Sequence, residues 1–189
     1  MATTEPIRDK KQLRRLAEYW LKRGNPRNHA LIVLGVCTAL RIGDLLCLTW
    51  DAVYDEESGA FRSHIVLTES KTGKLKTLAL NAQAVKALSL CFPSRRGIYI
   101  FASNRKEGMA ISRVQAWRII RAAAEAIGAV GRIACHSLRK TFGYFAWKRG
   151  TLPVVLMDLF NHSSFETTRR YLGISQDDRD KVYLGMALF

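Results

Sequence analysis

The 189-residue sequence has no apolar run long enough to cross a bilayer. Its longest, Ala30 to Leu40, is closed by Arg41. A spanning helix needs about 20 apolar residues, so this stretch reads as a buried helix. The N-terminus, MATTEPIRDKKQ, lacks a signal-peptide core, and the expected location is the cytoplasm. Cysteine is sparse. Cys37, Cys47, Cys91 and Cys135 show no CxxC spacing, which argues against a zinc site or a disulfide framework and for buried free thiols in a reducing compartment. There is no Gly-rich phosphate loop, so ATP is not implied, and no lipidation motif, repeat or low-complexity tract.

Acidic residues are also in short supply. Sixteen Asp and Glu face 30 Lys and Arg, leaving a net charge of +14. At this imbalance the expected partner is a polyanion, because a cationic surface gains free energy by displacing condensed counterions from DNA or RNA. At this length the chain fits one domain, or one domain with a short appendage.

Helical periodicity dominates what is there. Leu13, Leu16, Ala17, Trp20 and Leu21 form one stripe, with Asp9 and Gln12 as an N-terminal capping pair. Gly24 and Pro26 end that helix, and a second begins near Arg27. After Trp50 the period changes. Phe61 to Glu69 and Leu75 to Leu80 read as strands joined by Lys71-Thr72-Gly73-Lys74, where glycine permits the positive φ of a turn. Ile98 to Phe101 reads as a short extra strand. Ser112 and Gln115 open a helix to about Ile127, and His136 opens another to Lys148, closed by Gly150. Pro153 suits a first helical turn. Ser164 caps a segment carrying Tyr171, and Ser175 with Asp178 opens a final helix.

Six residues attract chemical interest, although each has an ordinary explanation when taken singly. Arg41 ends an apolar helix, where an arginine is usually solvated or complements the helix dipole. Asp44, three residues on, is expected to hold its guanidinium or orient a histidine. Lys71 sits on a turn, with Lys74 and Lys76 as competitors that fall on or beyond the return strand. His136 and Arg139 share one helical face. His162 precedes two serines, and Tyr171 follows it by nine residues.

Order and spacing make the set more specific than its members. A-L-R-I-G-D-L around Arg41, S-K-T-G around Lys71, H-S-L-R at His136 and Arg139, and N-H-S-S-x-x-T-T-x-x-Y from Asn161 to Tyr171 resemble the tyrosine recombinases, the phage integrase family. The resemblance implies a mainly α fold with a small antiparallel β-sheet (α+β), the catalytic domain of that family over residues 1–172. A tail at 173–189 would dock in cis or on a neighbouring protomer. It implies Tyr171 as nucleophile on a DNA phosphate, forming a 3′-phosphotyrosine. Arg41 and Arg139 would grip the phosphate oxygens, His136 accept the tyrosine proton, Lys71 protonate the leaving 5′-oxygen and His162 add a hydrogen bond. No metal and no cofactor is implied.

The implied partners are double-stranded DNA, further copies of the chain in a homo-tetramer built as a dimer of dimers from a monomer in free solution, and accessory DNA-bending or directionality proteins, in a nucleoid-associated setting. Of Arg113, Arg118, Arg121, Arg132, Arg169 and Arg170, most are expected to contact backbone phosphates, with Arg113 and Arg118, near a helix start, the better candidates for groove contact. Two alternatives stand beside this reading: a type IB topoisomerase-like enzyme and a non-catalytic DNA-binding regulator. The sequence departs from the family in two places. Only about 25 to 40 residues precede the motifs, too few for a separate N-terminal DNA-binding domain at usual domain sizes; Met1 and the first helix point to a naturally short protein rather than a fragment. Phe160-Asn161-His162 stands where the family often has Leu-Gly-His, and asparagine is expected to keep the turn.

Overall fold

Asp9 begins the first helix. Its carboxylate accepts from the Lys11 and Gln12 amides, and α1 runs Lys10–Leu21. The capping is one-sided: the Gln12 side chain reaches Val130 instead of returning to Asp9. Asn25 caps α2, Pro26–Cys37, through the Asn28 amide, with Pro26 in the first turn. These elements belong to a computed structural model that describes residues 4–174 and 176–186, with side-chain placement left aside at Arg170 and Asp177.

The apolar run ends where the backbone turns left-handed at Ala39, φ 54°. A short helix α3, Ile42–Leu46, follows. Two antiparallel hairpins come next: β1 (Tyr54–Asp55) with β2 (Ala60–Phe61), and β3 (His64–Thr68) with β4 (Leu75–Ala79). The second carries the lysine turn. The Glu69 amide donates to the Lys74 carbonyl and the Gly73 amide to the Glu69 carbonyl, with Gly73 at φ 66°.

Helix α4, Ala82–Cys91, stands where no helix was expected, although Asn81 caps it at Ala84. Ile98–Phe101 forms no ladder. It contributes the isolated Thr49–Tyr99 bridge and backbone bonds to Leu48 and Trp50. The remaining helices are α5 (Arg113–Ala126), α6 (Cys135–Lys148), α7 (Pro153–Leu159), α8 (Phe165–Leu172) and α9 (Gln176–Leu184). Ser112 caps α5 at Gln115, and Ser164 caps α8 at Thr167. Ser175, expected to open the last helix, lies outside the described residues.

α2 sits at the centre, with Ala30, Leu31, Ile32 and Leu34 fully buried. One side packs on α4, the strands and Trp50; the other meets α1, α5 and Leu138 of α6. Full burial of each leucine or isoleucine stabilises by about 1.5–3 kcal/mol. A third, smaller cluster of Ala39, Leu156, Phe160 and Leu172 ties the end of α2 to α7 and α8. This cluster places Tyr171 and His162 beside the residues that follow α2.

Candidate active site

Among the described residues, Arg139 is the largest fully buried side chain, 1% exposed. An unpaired buried cation would cost several kcal/mol. Here its Nη1 donates to the Ala39 carbonyl at 2.5 Å and its Nη2 to the Phe160 carbonyl at 2.7 Å. The guanidinium also lies 4.8 Å from the Phe160 ring centre. Burial first, then the like charge of Arg41, pulls its pKa down to about 10, so it remains a cation at neutral pH.

Arg41 stands just before α3 and donates from Nη2 to the same Phe160 carbonyl at 3.4 Å. Its Nη1 pairs with Glu69 Oε1 at 2.9 Å. Glu69 is 1% exposed. Burial alone would raise its pKa. Hydrogen bonds from Asn161, Arg41 and Thr72, with the Arg41 charge, outweigh that and hold it at about 2. Asp44 does not reach Arg41 in the way its spacing suggested. Arg41 is the extended residue before α3 and Asp44 lies in its first turn, where Asp44 Oδ1 instead accepts from the Ser70 amide at 2.9 Å and hydroxyl at 2.7 Å.

His162 stacks on Phe160, centroids 5.2 Å apart, and its Nδ1 lies 3.0 Å from Thr168 Oγ1. Burial and the charges of Arg139, Arg41 and Lys71 lower its pKa to about 4, so the ring is neutral at pH 7. The Tyr171 ring lies 4.7 Å from His162 and 5.2 Å from Phe160. The Arg139 and Lys140 cations sit 5.9 and 5.6 Å from its centre. His136, one turn before Arg139 on α6, keeps an exposed edge. Partial desolvation and then Arg139, Lys140, Arg41 and Lys71 lower its pKa, which favours the neutral base.

Arg41, Arg139, His162 and Tyr171 thus meet directly around Phe160. His136 and Lys71 share the same positive field. Lys71 itself is exposed at the tip of the turn. Lys76 lies deeper: its Nζ donates to the Leu159 carbonyl at 2.6 Å and stands 3.8 Å from Glu69 Oε1. Burial, ahead of the Arg139 charge, lowers its pKa.

Sequence reasoning missed Glu69, and a signal was present. Ile65, Leu67 and Glu69 share strand parity, and Ile65 is fully buried.

The outlying arginines are scattered. On α5, Arg113 packs over Gly43, where an added Cβ would meet its Nη2 at 2.6 Å. Arg118 is exposed, and Arg121 pairs with Glu125 at 2.5 Å. Arg132 and Arg169 are exposed, and the Arg170 side chain lies outside the description. All four cysteines are free thiols. Cys47 is exposed, against the expectation of burial, because it follows the last turn of α3.

The phage integrase family profile matches residues 8–177. The chain is 36% identical to the probable integrase/recombinase YoeC of Bacillus subtilis (strain 168), over 97% of each chain. Its fold matches the crystal structure of XerA recombinase with a TM-score of 0.79 at 22% identity, over all of this chain and 68% of that one. The XerH site-specific recombinase, solved bound to palindromic difH substrate in a post-cleavage complex, matches with a TM-score of 0.76 at 17% identity. That match covers 97% of this chain and 53% of that one. The family profile, the full-length likeness and the convergence on Phe160 lead to one conclusion: the chain belongs to the phage integrase family and is a tyrosine recombinase.

Proposed function

We propose that the protein cleaves and rejoins DNA strands at specific sites through a covalent 3′-phosphotyrosyl intermediate at Tyr171, without metal or ATP. The observation that carries this reading is the convergence of Arg41 and Arg139 on one carbonyl, with the Tyr171 ring beside Arg139 and His162.

The Tyr171 oxygen attacks phosphorus, the bond from phosphorus to the 5′-oxygen breaks, and the phosphotyrosine conserves the bond for religation. A phenol is a weak nucleophile at neutral pH and needs a base. Neutral His136 suits that task, because its lowered pKa keeps it unprotonated. The two guanidiniums stabilise charge building on the non-bridging oxygens, and losing one such donor costs on the order of 3 kcal/mol. His162 adds a hydrogen bond.

Lys71 gives a proton to the leaving 5′-oxygen, its exposed turn free to follow the bound duplex. Lys76 is the second candidate for that proton, favoured by its place near Glu69. The net charge of +14 supports duplex DNA as substrate.

Assembly as a dimer of dimers follows the same reading. Val182, Tyr183 and Leu184 of α9 are 64–81% exposed, so this apolar surface suits a neighbouring protomer better than docking in cis. Leu188 and Phe189, at the end of the 173–189 tail expected to dock, lie outside the described residues. Assembly also separates this reading from a topoisomerase-like monomer.

A nicked suicide duplex tests the reaction. The wild type is expected to form a covalent adduct that Tyr171→Phe abolishes. Lys71→Ala is expected to slow adduct formation at least about 100-fold, and Lys76→Ala much less. No adduct with any duplex from the flanking genomic DNA would leave only a DNA-binding regulator.

A further inference from the structure

Glu69 has no part in the reaction steps above, yet the lysine turn, Arg41 and the histidine turn all meet on its carboxylate. We infer that Glu69 and Asn161 are positioning residues that dock the Lys71 turn onto the 159–162 turn and onto Arg41. The inference rests on the roles proposed for Lys71 and Arg41.

Three bonds cross between hairpin and turn. Asn161 Nδ2 donates to Glu69 Oε2 at 3.0 Å, Lys74 Nζ donates to Asn161 Oδ1 at 3.2 Å, and Lys76 Nζ donates to the Leu159 carbonyl at 2.6 Å. Glu69 Oε1 pairs with Arg41. Both chain neighbours of Lys71 are held by buried carboxylates. Ser70 is bonded to Asp44, and the Thr72 hydroxyl donates to Glu69 Oε2 at 2.9 Å. An exposed lysine therefore projects from a turn whose backbone is pinned on either side. That limits where its ammonium can go, while four flexible carbons let it follow the leaving oxygen.

Asn161 serves twice. Its backbone is left-handed, φ 49°, which glycine would satisfy equally well. Its amide, which glycine lacks, bridges Glu69 and Lys74. A misplacement of about 1 Å in a reacting group costs up to about 100-fold, so the bridge matters to rate without touching the DNA.

Asn161→Gly separates these roles, since it keeps the turn and the Glu69–Arg41 pair. In single-turnover cleavage of a nicked duplex, Asn161→Gly is expected to form the Tyr171 adduct about 10-fold more slowly, with DNA affinity within about 2-fold of wild type. Sulfur in place of the bridging 5′-oxygen leaves as a thiolate and does not need the lysine proton. On that substrate the deficit should shrink to less than about 2-fold, a rescue that general loosening of the site would not give. Glu69→Gln keeps the shape but removes the charge that holds Arg41, so it should slow both substrates.

Wild-type rates for Asn161→Gly on the oxygen substrate, or an equal deficit on both substrates, would overturn the inference. So would a Glu69→Gln protein that cleaves both at wild-type rates. A wild type that forms no adduct on either substrate removes the reaction reading, and this inference with it.

Discussion

At Ala39 the backbone holds φ 54°, a region that costs a residue with a Cβ about 1–2 kcal/mol. The strain has a consequence: it turns the chain out of α2 and aims the Ala39 carbonyl at Arg139. Ala39→Gly should relieve the strain, less the entropy that glycine adds to the unfolded chain. Loss of the buried Ala39 methyl, about 0.8 kcal/mol, offsets most of what remains, so Tm by calorimetry should stay within about 2 °C of wild type, with Arg139 still bound.

Stability should also fall with acid in two stages. As pH drops below 6.5, the unfolded chain takes up a proton at His162 that the folded protein resists down to about 4. Glu69 then contributes stability that is fully present above 4.5 and lost as pH falls toward about 2, in total on the order of 3 kcal/mol. Denaturant unfolding from pH 7 to pH 3 should show both stages. In Glu69→Gln the lower stage should be missing.

The six residues proposed to react were legible as a linear pattern because their types and spacing are local properties of the chain. Their partners were not. Arg41 had Asp44 three residues away, yet its carboxylate is Glu69, because the Ser70 amide and hydroxyl hold Asp44 instead.

Among the elements, helix starts were the most readable. Asp9, Ser112 and Ser164 cap the helices expected of them, since capping is a contact across three residues. α4 went unread although Asn81 announces it, and the stretch 98–101 makes bridges without a ladder because its partners lie far off in sequence. α5 carries a prediction of its own. Arg118 is exposed, whereas Arg121 already pairs with Glu125. Arg118→Ala should lower the slope of log affinity against log salt for duplex DNA by about 1. Arg121→Ala should change it by less, since removing it also frees an anion. Equal changes in a fluorescence titration would show that the Glu125 pair opens on DNA.

For the whole molecule, charge and tail act together. The surplus of 14 positive charges suits DNA but repels other copies of the chain, so the proposed assembly would need a cohesive element. The exposed α9 residues supply apolar surface, and Lys148 pairs with Asp178 to fix the first turn of that helix to α6. Deleting residues 175–189 should abolish higher-order complexes on full DNA sites in native gels, while leaving the Tyr171 adduct on a single half-site. Unchanged complexes after deletion would put the assembly surface elsewhere.

By itself the sequence determined the family, the motifs that carry the proposed reacting side chains, the capped helix starts and the basic charge, because each is set by residue identity at short separation. Only the tertiary structure decided that Phe160, through its carbonyl, gathers two arginines from 119 and 21 positions away. It also decided that Glu69 is the acid among them, and that Lys76 lies deeper than Lys71. Such choices turn on which buried polar groups remain unmatched once the helices have packed, a quantity that no stretch of the chain carries alone.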